Sequence, residues 1–241
     1  MNKVMKYRDS VILYGVVMKK ESQKMETKIL GISGSPVKGG NVEALLEYML
    51  KCAAPKKGVS VEAVHLSGLD ISDCTHCNFC VKKQTEGKFC AIDDGAQEIF
   101  EKAQAADIIV LATPVYFMRM SGRMASLMDR MRVFIFGNEA AGRLKNKVGV
   151  SAAVAWGRNA GFETTHLANI CAFMVLEMLP VSVHHCISPL GASVVASPQG
   201  SGMFDKSIRL GVEKDNFGLH SASAMMNRAL ELSAIMKRES P

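Results

Sequence analysis

The sequence predicts an α/β fold in which parallel strands are joined by helical crossovers. Three observations lead there. Strand-like and helix-like segments alternate as βαβαβαβαβα from Lys28 to the C-terminal helix. The stretch from Asp107 to Pro114 contains Ile-Ile-Val-Leu-Ala, a continuous apolar run suited to a strand buried on both faces. Loops of small and polar residues directly follow the strand candidates, where open parallel sheets bind ligands.

Lys28 to Ile32 reads as the first strand, ending in Gly31-Ile-Ser-Gly-Ser-Pro36. Val42, Leu45, Leu46, Met49 and Leu50 then fall on one helical stripe, and Gly58 is expected to close that helix. Val59, Val61 and Ala63 alternate as a second strand, and a cysteine-bearing loop follows. Asp94 and Gln97 have the spacing of a capping box, predicting a helix to about Ala105. After the buried strand, a helix is expected from about Met120 to Arg132. Val148–Ala155 and Val181–Ile187 read as further strands, with a helix from Glu163 to Leu179 between them. A last helix is expected from about Leu219 to Lys237, with Met225, Ala229, Leu232 and Met236 on one face. Phe134–Lys147 and the Gly/Ser-rich Gly191–Asn216 fit no element, and loops that long in a compact domain are usually functional or mobile.

The chain has 241 residues, 48% of them hydrophobic, enough for a sizeable core and too apolar for wholesale disorder. Residues 1–26 are expected to be an extension before a single domain, 27–241, with a cysteine-rich insert at about 72–92. Lys3, Lys6 and Arg8 before Val11–Val17 outline a signal peptide faintly, but Lys19, Lys20 and Glu21 follow without a small-residue cleavage site. No apolar run reaches membrane-spanning length. The net charge of +6 is scattered, which argues against nucleic acid and suits anionic small molecules or an acidic electron-transfer partner. Seven cysteines, an odd number with four clustered, argue against a secreted disulfide framework and for reduced thiols in a cytoplasm.

Those four, Cys74, Cys77, Cys80 and Cys90, span 17 residues, the first three spaced Cys-x2-Cys-x2-Cys. A tight turn with three thiolates can hold three corners of an iron–sulfur cube while a fourth ligand arrives from nearby chain. A structural zinc site more often uses two separate Cys-x2-Cys knuckles, and the third cysteine here follows too closely to start a second one. A metal-free reading, as buried small residues or a redox disulfide, stays open. His76 inside the motif reads as a surface residue, and Cys52, Cys171 and Cys186 read as core. His184 and His185, adjacent on a predicted strand, face opposite ways and cannot serve one site together. Asp129 and Arg130 read as a helix-end pair that orders the sheet or a subunit contact.

Three loops carry the ligand chemistry. In Ser33-Gly-Ser-Pro-Val-Lys-Gly-Gly-Asn41, small residues let backbone N–H groups approach an anion at a helix start. Ser33 and Ser35 offer hydroxyls, Lys38 a charge and Asn41 an amide. The loop is neither a Walker motif nor a complete GxGxxG, and an ordinary β–α turn explains it equally well. Thr113-Pro-Val-Tyr-Phe117 can form a rigid wall for a planar ring, or an apolar plug for the core. In Trp156-Gly-Arg-Asn-Ala-Gly161, followed by Phe162-Glu-Thr164, two glycines permit close approach to a ligand edge, or a flexible turn. Trp156 is the only tryptophan, suited either to core or to ring contact.

Gly31-Ile-Ser-Gly-Ser-Pro, Thr113-Pro-Val-Tyr-Phe and Met128-Asp-Arg130, in this order, resemble the NADPH-dependent FMN reductase-like flavoproteins. With the compact cysteine motif, the chain resembles their iron–sulfur flavoprotein branch over about residues 27–190. The resemblance implies a flavodoxin-like three-layer fold with a five-stranded parallel sheet ordered 2-1-3-4-5. It also implies FMN at the strand ends and a [4Fe-4S] cluster. Ser33, Ser35, Lys38 and Asn41 would hold the FMN phosphate, and Pro114, Val115, Tyr116 and Phe117 would line the isoalloxazine. Gly157, Gly161 and Glu163 would approach the ring's other edge, and Cys74, Cys77, Cys80 and Cys90 would ligate the cluster. The family often has Arg, Ser and Thr where this chain has Val37, Gly40 and Val42, which removes a charge and two hydroxyls from the phosphate cradle. A homodimer or dimer of dimers is implied too, with Phe134-Ile-Phe136 and the 16 methionines as surface to bury.

The expectation is therefore an FMN-dependent oxidoreductase passing electrons between FMN, a cluster and an external donor or acceptor, NAD(P)H or a ferredoxin-type protein. No side chain is required as acid or base. The rivals are a cluster-free NAD(P)H-dependent FMN or quinone reductase, and a zinc-stabilised flavin-binding regulatory module.

Overall fold

The computed structural model describes residues 26–184 and 186–239. The expected N-terminal extension therefore lies almost wholly outside the described residues, as does His185. The sheet is built on β1 (Thr27–Ser33), β2 (Val59–His65), β3 (Ile108–Pro114) and β4 (Val148–Ala155). Every residue of β3 and of β4 is buried, as their unbroken apolar or small-residue runs require of strands covered on both faces. Two short strands, β5 (Leu179–Pro180) and β6 (Ala192–Val195), complete it. All pairings are parallel and the order is β2-β1-β3-β4-β5, as the resemblance implies.

The fifth strand position differs in detail from the sequence expectation. None of the described residues of Val181–Ile187 lies in a strand. Instead β5 pairs with Val148–Gly149 at the start of β4, and β6 pairs with Ala152–Ala155 at its end. Leu179 and Val181 donate to Lys147 O and Gly149 O at 2.8 Å, and the ladder ends there; the intervening Pro180, whose missing N–H would face away from β4, fits the open edge. The edge is then taken by Ala-Ser-Val-Val at 192–195, all four residues of which are buried. A strand thus lies inside the Gly/Ser-rich segment read as irregular. His184 lies in a bend rather than on a strand.

Helices α1 (Asn41–Ala53) and α6 (Asn216–Glu239) cover one face of the sheet. Leu45, Leu46 and Met49 meet Met225, Met226 and Ala229 there over Val110 and Val150. The other face carries α3 (Ala96–Ala105), α4 (Gly122–Arg130) and α5 (Phe162–Val175). A one-turn helix, α2 (Phe79–Lys82), lies within the cysteine segment. Phe89, Phe100 and Phe134 cluster beneath that segment with centroids about 6 Å apart, Phe100 meeting the other two edge to face. Phe134, expected to supply interface surface, is therefore core, whereas Phe136 stays exposed under the Arg132 guanidinium.

The expected capping box is replaced by a different arrangement. Asp94 accepts the Ala96 N–H, but Gln97 turns away from it to bind Gly87 O and the Phe89 N–H. Cys52, Cys171 and Cys186, expected in the core, are only partly buried or, for Cys171, exposed. α5 turns Phe162, Thr165, His166, Asn169 and Phe173 inward and leaves Leu167, Cys171, Met174 and Val175 on a solvent-facing stripe at helical spacing.

Candidate functional site

The first two ligand loops meet at the carboxyl ends of β1 and β3, around a cavity of about 400 Å3. Ser35, Lys38 and Asn41 line it from the first loop, and Pro114, Val115 and Tyr116 from the second. Its depth is closed by Val154, Ala155 and Trp156 at the end of β4. The first loop is held rigidly. Ser35 Oγ accepts the Val37 N–H at 3.0 Å, Glu43 takes the Gly39 N–H at 2.7 Å, and Ser121 Oγ donates to Gly34 O. The start of α1 has no side-chain cap, leaving its first-turn donors and dipole for an anion. In the second loop, Tyr116 and Arg119 exchange backbone hydrogen bonds of 2.9 and 3.1 Å across a tight turn.

The remaining candidates lie around this cavity rather than in its wall. Ser33 is fully buried, its Oγ accepting the Ser35 N–H at 3.4 Å, so it shapes the loop from behind. Phe117 stands at the turn tip with φ +49° and 99% exposure. Gly161 begins α5 with φ +97°, and a Cβ there would lie 2.6 Å from Met118 Cα, so glycine is what lets the second and third loops touch. Gly157 bridges to Ser201, and Glu163 occupies the first turn of α5. The Asn41 Oδ1 is taken by the Val212 N–H at 3.1 Å, leaving only its amide N–H2 for a ligand.

Sequence reasoning missed the cavity's fourth wall. Ala196, Arg209 and Leu210, from the segment read as an unassigned loop, line it too. Trp156 fastens that segment, donating Nε1–H to Gly202 O at 2.6 Å and stacking on Phe204 with centroids 5.9 Å apart. Nothing in the local pattern around Arg209 marks it for this place.

Cys74, Cys77, Cys80 and Cys90 line a second pocket, together with Arg130 and Arg132. Among the described residues no three His, Cys, Asp or Glu side chains converge closely enough to hold a single metal ion. The segment is clamped at several points. Arg130, 1% exposed, pairs with Asp94 and donates to Ser72 O and Ile92 O, which closes the two ends of the cysteine segment. Buried Gln84 binds Phe89 O and Val133 O, and accepts the Glu139 and Ala140 N–H groups, so the Phe134–Lys147 stretch serves as its mount. Arg132 reaches His76 Nδ1 at 2.8 Å and Asn78 Oδ1 at 3.2 Å. His76 and Asn78 both have positive φ, which winds the first cysteines tightly. His76 is thus tied to Arg132 and does not line the pocket.

The electrostatics favour anionic sulfur at the surface of this pocket. The Phe79 N–H, the Thr75 hydroxyl and the Arg132 charge lower the pKa of Cys77, overcoming slight burial. Burial raises that of Cys80, and Arg132 offsets part of the effect. Burial alone would raise the Asp94 pKa, but hydrogen bonds from Arg130, Ser72 N–H and Ala96 N–H outweigh it and hold the carboxyl below its usual range.

Residues 27–190 match the model of the NADPH-dependent FMN reductase family. An iron–sulfur flavoprotein of Methanocaldococcus jannaschii is 32% identical over 211 residues, covering 88% of this chain and 100% of that one. An iron–sulfur flavoprotein of Archaeoglobus fulgidus is 33% identical over 210 residues, covering 87% and 97%. Among solved structures, RosB with a bound intermediate superposes with a TM-score of 0.67 at 16% identity, covering 88% of this chain and 81% of that one, which speaks to the fold.

Proposed function

The chain belongs to the NADPH-dependent FMN reductase family, within its iron–sulfur flavoprotein branch, and from that premise we propose that its two pockets hold FMN and a [4Fe-4S] cluster. It is an FMN-binding, electron-transferring flavoprotein and a flavin-dependent oxidoreductase. The observation that carries the site assignment is the meeting of an uncapped helix start and a Pro–aromatic loop around one cavity.

The residues present fit both groups. Ser35, Lys38 and the α1 start are an anion-binding set, and Pro114–Tyr116 present backbone and one aromatic wall to a planar ring. Ser33, Phe117, Gly157, Gly161 and Glu163 act around the cavity, shaping the loops and its rim. Four thiols on one pocket, with two guanidiniums beside them, suit a polynuclear anionic centre. FMN supplies one- and two-electron chemistry when bound, and a cluster supplies single-electron transfer. The chain's own work is to orient the ring, neutralise the phosphate and hold sulfur as thiolate. No residue acts as acid or base in this scheme.

The electron donor is NAD(P)H or a ferredoxin-type protein in the reducing cytoplasm, where free thiols persist. Among the described residues no helix is long and apolar enough to cross a membrane. A homodimer or dimer of dimers is supported by the apolar stripe of α5.

Anaerobic purification tests the assignment. Two resolved flavin bands with a broad brown shoulder, and about four iron and four sulfide per chain, are expected for FMN with a cluster. Flavin bands alone would favour a plain FMN or quinone reductase, and colourless zinc at the cysteines the regulatory-module reading.

A further inference from the structure

We propose that Arg209 is the cation that binds the cofactor phosphate, replacing from the far end of the chain the charge that the phosphate loop lacks. This rests on the FMN reading of the cavity above. The loop carries Val37 and Gly40 and keeps one cation of its own, Lys38. An opposing charge stands beside it in the first turn of α1, where the Glu43 carboxylate accepts the Gly39 N–H at 2.7 Å. Lys38 alone does little more than cancel Glu43, while a phosphate monoester brings about −1.5 to −2 charges at neutral pH.

Arg209 is placed to make up the difference. It lines the same cavity as Ser35, Lys38 and Asn41, and its Nη2 lies 3.9 Å from where a Cβ would stand on Gly39. Like Lys38, it makes no hydrogen bond or ion pair among the described residues. Asp205, four residues earlier, is turned into its own loop, accepting the Ser207 N–H and hydroxyl at 2.9 and 2.6 Å. Asp215 is committed to Arg158, at 3.1 Å.

The position is enforced by the fold. Ile208 N–H bonds Asp205 O at 3.2 Å before Arg209, and Val212 N–H bonds Asn41 Oδ1 at 3.1 Å after it. Gly211 packs so closely on Ala196 that a Cβ would stand 1.8 Å from Ala196 O, a contact no side chain tolerates. The segment is thereby pressed between β6 and the first residue of α1, with Arg209 over the phosphate loop. A planar guanidinium with paired donors matches phosphate oxygens.

The test is flavin titration of flavin-free full-length protein, followed by fluorescence, using FMN and riboflavin in parallel. Riboflavin lacks the phosphate and reports ring binding alone. Arg209→Met is expected to weaken FMN about tenfold, the lower range for a charge-assisted hydrogen bond at an exposed site, while leaving riboflavin affinity unchanged. Arg209→Lys should recover part of the loss. Equal FMN affinity in wild type and Arg209→Met overturns the role of Arg209 and leaves the FMN site standing. Equal loss of FMN and riboflavin overturns it as well, by assigning Arg209 to the ring or to folding. If wild-type protein binds neither flavin, the cavity assignment itself fails, and the proposal with it.

Discussion

Arg130 and Asp94 form a buried ion pair that joins the end of α4 to the end of the cysteine segment. Asp94 also receives the Ser72 N–H at 2.9 Å, and Arg130 donates to Ser72 O at 3.3 Å, so one pair gathers residues before and after all four cysteines. Removing one partner leaves the other charge buried and alone. Arg130→Met is expected to cost about 3–5 kcal/mol of unfolding free energy, measured by urea denaturation. A loss under 1 kcal/mol would show that the segment is not held this way. Arg130→Met/Asp94→Leu, which removes both charges, should recover much of the loss.

The cysteine pocket makes a second prediction. Cys77→Ser should remove most of the iron and sulfide from anaerobic protein while FMN remains bound, because the two pockets share no lining residue. Iron, sulfide and flavin analysis of one preparation decides this. Undiminished iron would exclude Cys77 as a ligand.

At the phosphate loop, Ser35→Glu should lower flavin occupancy sharply. It places a carboxylate at a cavity wall expected to receive a dianion, and it removes the acceptor for the Val37 N–H. Flavin content per chain measures it, and unchanged content would refute phosphate binding there.

His166 sets a pH dependence. It is fully buried on α5 between Ser151 and Ser193, with ring nitrogens at 2.8 and 2.9 Å from their hydroxyls. Burial lowers its pKa from 6.5 to about 4 in the folded protein. The folded state therefore favours the neutral ring. Its contribution is complete above pH 6.5 and is lost as pH falls towards 4, amounting to about 3 kcal/mol at the acid limit. Urea midpoints between pH 7 and pH 4 should fall in wild type and flatten in His166→Gln. An equal pH slope in both proteins would rule out His166 as the source.

The α5 stripe predicts self-association. Met174→Glu, at a residue 63% exposed, should shift light-scattering mass from dimer or tetramer to monomer at micromolar concentration without loss of flavin. A monomeric wild type would count against this assembly.

The order of strands and helices, the loops after β1 and β3 and the cysteine cluster are legible from the chain alone. Each is a local pattern: an apolar run, a helical stripe, a turn of small residues or a spacing of thiols. The fifth strand position is not, because Val181–Ile187 and Ala192–Val195 are both plausible strands in isolation. Which of them reaches the end of β4 depends on a slot there that buries all four residues of β6. Arg209 over the phosphate loop, and Arg130 on Asp94, are likewise beyond local reading. Charge partners 36 residues apart, or a strap joining Val212 to Asn41 across 171, meet only after the sheet has closed and both faces are covered. Sequence determines which segments become strands, helices and ligand-bearing loops, because those preferences act over a few residues. Tertiary packing alone decides which distant charge comes to rest beside which loop, because that outcome depends on burial shared by the whole domain.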